Sequence, residues 1–192
     1  MHTTEAFLAV ADATGNNTYR VRAGRIIDHV IEWAAHNRWR IPEHFKSDWS
    51  LDLECNADKK DDQFKPYGAT PGHGIEWARL IVQWALSSFA NRDGARPYID
   101  AAEHLFARAV DDAWNADGAE GLVYTTDWNG TPVSPTACIG RRRIVEHRRH
   151  AARCHRRGTI RQLVRHVRPL RHEHVIDHEG GSCSTSLTAT IA

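Results

Sequence analysis

What the 192 residues lack narrows the field first. No stretch of about 18 consecutive apolar residues occurs, so no membrane-spanning helix is expected and a membrane is not anticipated as a partner. The N-terminus has no basic-then-apolar pattern, so no signal peptide is read there. The four cysteines, Cys55, Cys138, Cys154 and Cys183, fall in no C-x-x-C or other zinc-ligand spacing. They read as free thiols and point to a cytoplasmic setting. H-E-x-x-H is absent, which leaves a zinc-hydrolase reading unsupported. Residues 141–192 contain no lysine.

That last absence belongs to a sharp asymmetry hidden under a formal net charge of +1. Residues 1–140 carry 13 of the 25 Lys+Arg and 20 of the 24 Asp+Glu, a formal −7. Residues 141–192 carry 12 Arg and four acids, a formal +8. Two such compositions do not suit one core, and the chain divides at about residue 133. The Arg/His-rich run from Arg141 to His178 has no aromatic interleaving and no helical stripe. One reading is a nucleic-acid-binding tail, since clustered arginines neutralise phosphates. The other is a segment translated in a shifted frame, which makes nucleic acid an unexpected partner.

Before the division the chain is patterned for helices. Thr4–Thr14 places Phe7, Leu8 and Ala11 on one face and meets Gly15 as a stop. Asn17 or Thr18 can cap a second helix to about His36, with Ile26, Ile27, Val30, Ile31 and Ala34 as its stripe. A third is predicted from Pro71 to about Ala90, burying Trp77, Leu80, Ile81, Trp84, Ala85 and Phe89. A fourth is predicted from about Arg96 to Trp114. Gly121–Val133 alternates and holds Trp128-Asn129-Gly130, a hairpin turn signal. Between the second and third helices lies Asn37–Thr70, long enough to suggest function. Its aromatics, Trp39, Phe45, Trp49 and Tyr67, suit either stacking on a sugar or covering the core. Its polar residues Arg40, Glu43, His44, Asn56 and Asp58 read as a solvated loop. Helix pairs joined alternately by short and long connections imply an all-α fold, either an α/α toroid or a helical bundle.

The stretch from Phe64 to Leu80, F-K-P-Y-G-A-T-P-G-H-G-I-E-W-A-R-L, is the most informative. Thr70 is a good N-cap, and its hydroxyl is expected to accept from an orphan backbone N–H. Pro71 falls at N1, where a missing N–H costs nothing. His73 then sits at N3, beside the positive end of the helix dipole, which favours a neutral imidazole. Glu76 follows three residues later on the same face and is expected to orient that imidazole. A neutral histidine beside a carboxylate suits proton abstraction from carbon. The competing reading is a capped helix start with a solvated His/Glu pair, because H-x-x-E is a common spacing.

With M-H-T-T-E-A-F-L-A-V-A-D-A-T-G, W-R-I-P-E-H-F and Y-T-T-D-W-N-G beside that block, residues 1–132 resemble the N-acylglucosamine 2-epimerase family, which includes mannose isomerases. The resemblance reappears in E-H-V-I-D-H-E-G-G-S, residues 173–182. It implies a partial (α/α)6 barrel over 1–133 with a small β-hairpin, followed by an aberrant basic segment over 134–192. It implies sugar 2-epimerisation or aldose–ketose isomerisation on a monosaccharide or amino sugar, with no metal or redox cofactor. The implied chemistry removes the proton beside the open-chain carbonyl by a pair of histidines. His73 matches one catalytic histidine; His2 and Glu76 match substrate-contacting positions. No residue here is assigned to the second histidine. The chain is therefore expected to be truncated at both ends and inactive alone. The family's D-R-M-H-W is replaced by Pro135–Gly140, and the codons CCG ACC GCA TGC ATT GG would encode the former in a shifted frame, so a frameshift after about residue 133 is expected. A glycoside hydrolase on the same toroid would need two flanking carboxylates, and no convincing pair is evident.

Overall fold

The computed structural model describes residues 1–134 except 63, 115, 117 and 119–122. Four helices form in two pairs: α1 (His2–Thr14) with α2 (Asn17–His36), and α3 (Pro71–Ser88) with α4 (Arg92–Ala113). Within each pair the connection is two or three residues, and the members pack on one another. The basic segment, three of the four cysteines, the family-like stretch at 173–182 and the shifted-frame reading lie outside the described residues.

Local signals explain the helix ends. Gly15 adopts φ 69° and donates its N–H to the Ala11 carbonyl at 2.9 Å, closing α1 in a left-handed cap. Asn16, one residue before the expected caps, caps α2 through Oδ1, which accepts from the Thr18 N–H at 3.0 Å. Thr70 is the N-cap residue of α3 and Pro71 is at N1, as expected, but the threonine hydroxyl makes no capping bond. The Thr70 carbonyl instead accepts from the His73 and Gly74 N–H groups at 2.9 and 3.3 Å. Helix α4 begins four residues earlier than the proline suggests. Asn91 Oδ1 accepts from the Gly94 N–H at 3.0 Å and starts it there, leaving Pro97 inside the helix on its exposed side.

The main core gathers Leu8 from α1, Ile27 and Val30 from α2, Leu80, Ile81 and Trp84 from α3, and Leu105 from α4. Ile26 and Ile31, the edge of the expected stripe, are half-buried against it. Small residues bring the helices close. A Cβ on Gly24 would fall 2.5 Å from the Trp84 ring, so that glycine is what seats α2 on α3. The indole repays the approach with a hydrogen bond from Nε1 to the Arg20 carbonyl at 2.8 Å.

After α4 the chain forms a short antiparallel hairpin, β1 (Thr125–Thr126) with β2 (Pro132–Ser134). Asp127 Oδ1 accepts from the N–H groups of Asn129 and Thr131, both at 2.8 Å, and Gly130 takes φ 93°. This carboxylate-organised turn is the structural content of the W-N-G signal. Ala69 pairs with Thr126, so the hairpin abuts the residues that lead into α3.

Candidate functional site

The start of α3 brings His73 and Glu76 to one end of the helix pairs, but their partners are not each other. His73 Nδ1 lies 2.6 Å from Oε1 of Glu43, a residue of the long connection. The carboxylate that orients the imidazole is therefore 30 positions upstream, not the one three positions downstream. His73 remains 40% exposed and Glu43 24%. Glu76 is 2% exposed, with its Oε1 at 3.8 Å from Arg79 Nη2.

Arg79 links the two helix pairs. The same Nη2 donates to Glu5 of α1, and Glu5 Oε2 lies 2.9 Å from His2 Nδ1. A chain of polar contacts thus runs His2–Glu5–Arg79–Glu76 across α1 and α3. Burial pushes the Glu5 carboxyl up. The hydrogen bonds from His2 and Arg79, with the Arg79 charge, outweigh this and hold it below the usual carboxylate range. The Met1 amino group lies near enough to feel both Glu5 and Glu43: burial lowers its pKa, and the two carboxylates oppose that. The Glu43–His73 pair and the Glu5–Arg79–Glu76 contacts are both carried by the first half of α3, and together they make the candidate cluster.

The long connection reaches this cluster from a firm footing. Arg38 and Trp39 both take positive φ, 56° and 64°, turning the chain sharply out of α2. Trp39 stacks on His104 of α4 with ring centroids 4.8 Å apart. Arg40 then enters the interior as a bidentate partner of Asp112, at 2.6 and 2.8 Å. Ile41 and Pro42 are buried, and Glu43 follows directly. Beyond it, Phe45 lies between Trp33 of α2 and Trp49, while Trp49 is 73% exposed. Tyr67 is core, packed with Ala69 and Trp128. The aromatic set thus divides: Tyr67 covers the interior, Trp39 braces the bend, and Trp49 faces solvent.

Of the residues singled out by sequence, His2, His73 and Glu76 all fall in the cluster. Glu43, Glu5 and Arg79 complete it and were not foreseen. W-R-I-P-E-H-F, residues 39–45, was the signal for Glu43, but nothing local marks which distant side chain that glutamate meets. Arg40, read as solvated, is among the most buried charges of the described residues. No group of three or more His, Cys, Asp or Glu among the described residues is placed to hold a metal ion. No described helix is long and apolar enough to cross a membrane.

Comparison with known proteins agrees with this architecture. A D-mannose isomerase from Pseudomonas cannabina pv. alisalensis is 38% identical over 175 residues, covering 90% of this chain and 40% of that protein. One from Thermobifida fusca is 46% identical over 134 residues, covering 69% of this chain and 32% of that protein. The chain therefore spans less than half the length of these relatives. Among solved structures, a crystal structure of D-mannose isomerase superposes with a TM-score of 0.87 at 25% identity, covering 96% of this chain and 46% of that one. A sugar epimerase from a ruminal bacterium gives 0.72 at 18% identity, over 97% of this chain and 44% of that one, a likeness of fold. These neighbours are (α/α)6 barrels, and the two helix pairs described above are part of that arrangement. The model of the N-acylglucosamine 2-epimerase (GlcNAc 2-epimerase) family matches residues 1–190. With the helix pairs, the hairpin and the α3 entrance all in place, the chain belongs to the N-acylglucosamine 2-epimerase family.

Proposed function

We propose that the cluster at the start of α3 is part of a sugar isomerase/2-epimerase site acting on an open-chain aldose. His73 takes the proton from the carbon beside the carbonyl. The observation that carries this reading is the placement of His73: half-exposed, at a helix N-terminus, and hydrogen-bonded at 2.6 Å to a carboxylate. An imidazole so held can exchange a proton with a substrate carbon and stabilise the charge it acquires. His2, exposed at the edge of the cluster, and Glu76, fixed beside Arg79, are the substrate-contacting side chains of this reading.

The chemistry sets what a single histidine can do. Isomerisation moves a proton from C2 to C1, and one base on one face of an enediolate can carry it. Epimerisation inverts C2, so the proton must leave one face and return to the other, which calls for a second acid/base group. With one acid/base histidine placed among the described residues, exchange at C2 and isomerisation are within its reach, and epimerisation is not.

The experiment is deuterium incorporation from D2O at C2 of D-mannose and of N-acetyl-D-mannosamine, followed by NMR with the purified chain. Exchange is expected, and His73→Asn should reduce it by on the order of 10²–10⁴-fold. No exchange with either sugar, or exchange that survives His73→Asn, would overturn the reading. Rapid epimerisation of N-acetyl-D-mannosamine by the chain would show that the acid/base set is fuller than proposed.

A further inference from the structure

We propose that Glu43 is a positioning residue that fixes which nitrogen of His73 exchanges the substrate proton; this rests on the acid/base reading of His73 above. An ionised carboxylate only accepts hydrogen bonds. Glu43 Oε1 at 2.6 Å from Nδ1 therefore requires the ring proton on Nδ1 and leaves the lone pair on Nε2. Nε2 is the base. A neutral imidazole has two tautomers, and the hydrogen bond at one nitrogen decides the state of the other.

The approach of Glu43 is stiff enough to do this. Three residues before it, Arg40 is locked to Asp112 with the two side chains only 5% and 6% exposed. Ile41 and Pro42 between them are buried. On the other side, His73 is tied to the first turn of α3 by its own N–H, 2.9 Å from the Thr70 carbonyl. Both ends of the pair thus stand on fixed backbone, which is what orienting a catalytic group demands.

The step balances as follows. The C2–H bond breaks and its proton joins Nε2, giving an imidazolium whose two N–H groups face the sugar and Glu43. The electron pair of that bond forms the C1–C2 double bond, and the carbonyl pair moves onto O1. Return of the proton from Nε2 to C1, with transfer of the O2 proton to O1, gives the ketose and restores the neutral ring. Glu43 contacts no reacting atom. It holds the ring and faces the imidazolium charge.

The test reads the tautomer directly and needs no turnover. In the 15N-labelled chain, long-range 1H–15N NMR above the imidazole titration reports protonation at each ring nitrogen, with His73 identified by the signals lost in His73→Gln. The Nδ1–H form is expected. Glu43→Ala should shift the ring toward Nε2–H, and Glu43→Asp should restore part of the Nδ1–H population. Should the alanine variant fail to fold, Glu43→Gln serves, because its amide can offer an N–H to Nδ1 and should lower the Nδ1–H fraction. A predominantly Nε2–H ring in the unaltered chain, or a tautomer indifferent to Glu43, would overturn the proposal. Where C2 exchange is measurable, Glu43→Ala should lower its rate at saturating sugar about tenfold or more with little change in KM. A chain without exchange refutes the role of His73, while the tautomer still decides that of Glu43.

Discussion

Arg40 and Asp112 meet 72 residues apart in sequence, in a two-bonded pair closed off from solvent beneath the hairpin turn. Arg108 adds a longer contact to the same carboxylate, 3.4 Å. A Cβ on Gly130 would lie 2.8 Å from the guanidinium and 3.0 Å from the carboxylate, so the turn glycine sits as a cover over the pair. Three elements converge there: the long connection, α4 and the hairpin. Asp112→Ala, which strands a buried guanidinium, is expected to cost about 3–5 kcal/mol. Joint replacement by Arg40→Met and Asp112→Leu is expected to be far milder, because a matched apolar pair strands no charge. Urea denaturation of the two variants checks both outcomes. Equal losses would mean the pair itself, rather than its completeness, supplies the stability.

Gly68 is the second tight point. It takes φ 88°, and a Cβ there would stand 2.0 Å from the Thr126 carbonyl oxygen. Gly68→Ala is expected to cost at least about 2 kcal/mol, adding displacement of the hairpin to the strain of the left-handed region. Gly15→Ala shares the positive φ but meets nothing within 4 Å. It should cost only about 1 kcal/mol. Thermal or urea unfolding of both separates contact from backbone strain, and similar losses would remove the contact argument.

Asp127 predicts a pH effect with a definite sign. Burial pushes its carboxyl up, but hydrogen bonds from the Thr131 and Asn129 N–H groups outweigh this and hold it below its ordinary value. A carboxyl depressed in the folded state contributes stability that is complete above its unfolded value of about 3.9. That contribution is lost as pH falls through the lower folded value. Asp127→Asn keeps an acceptor but not the charge. It should be less stable at neutral pH and show a shallower acid limb in a pH series of denaturation midpoints. An unchanged acid limb would contradict the assignment.

Arg79 is expected to matter to the fold as well as to the site. It pairs with Glu5 of α1 and approaches buried Glu76 within α3. Arg79→Ala should destabilise by about 2 kcal/mol, in the range for hydrogen bonds to charged groups. Arg79→Lys should recover part of that, lacking the fork that reaches two carboxylates. Differential unfolding of the two variants is the measurement; a neutral alanine variant would show the strut carries no weight.

How much of this was legible in the sequence follows from how local each cause is. Gly15 and Pro71 act within a turn of the residues they terminate or start, so the end of α1 and the entrance of α3 were readable, while the cap of α2 was placed at Asn17 or Thr18 instead of Asn16. The W-N-G turn was readable for the same reason. The start of α4 was misplaced because Pro97 is a strong signal and Asn91 a quiet one, yet a side-chain acceptor on an orphan N–H decides the start. Glu43 was visible as a residue but not as the partner of His73, because a loop leaves no periodicity from which to infer what it meets. Arg40 was misread for a related reason. Its burial depends on Asp112, far away in the chain, and composition alone makes arginine a surface residue.

Trp39 and Arg38 give the long connection a braced start. Two successive left-handed, non-glycine residues are costly, on the order of 1–2 kcal/mol each. They are held by the Trp39 stack on His104 and by Arg38 Nη2 reaching the Trp128 carbonyl at 2.6 Å. The tip, Lys46–Ser50, is exposed and stitched mainly to itself through Asp48 and Ser50. The segment is a loop braced at its base near Glu43, with its tip exposed at Trp49. Changes at the tip can therefore be made while the imidazole and its carboxylate stay in register.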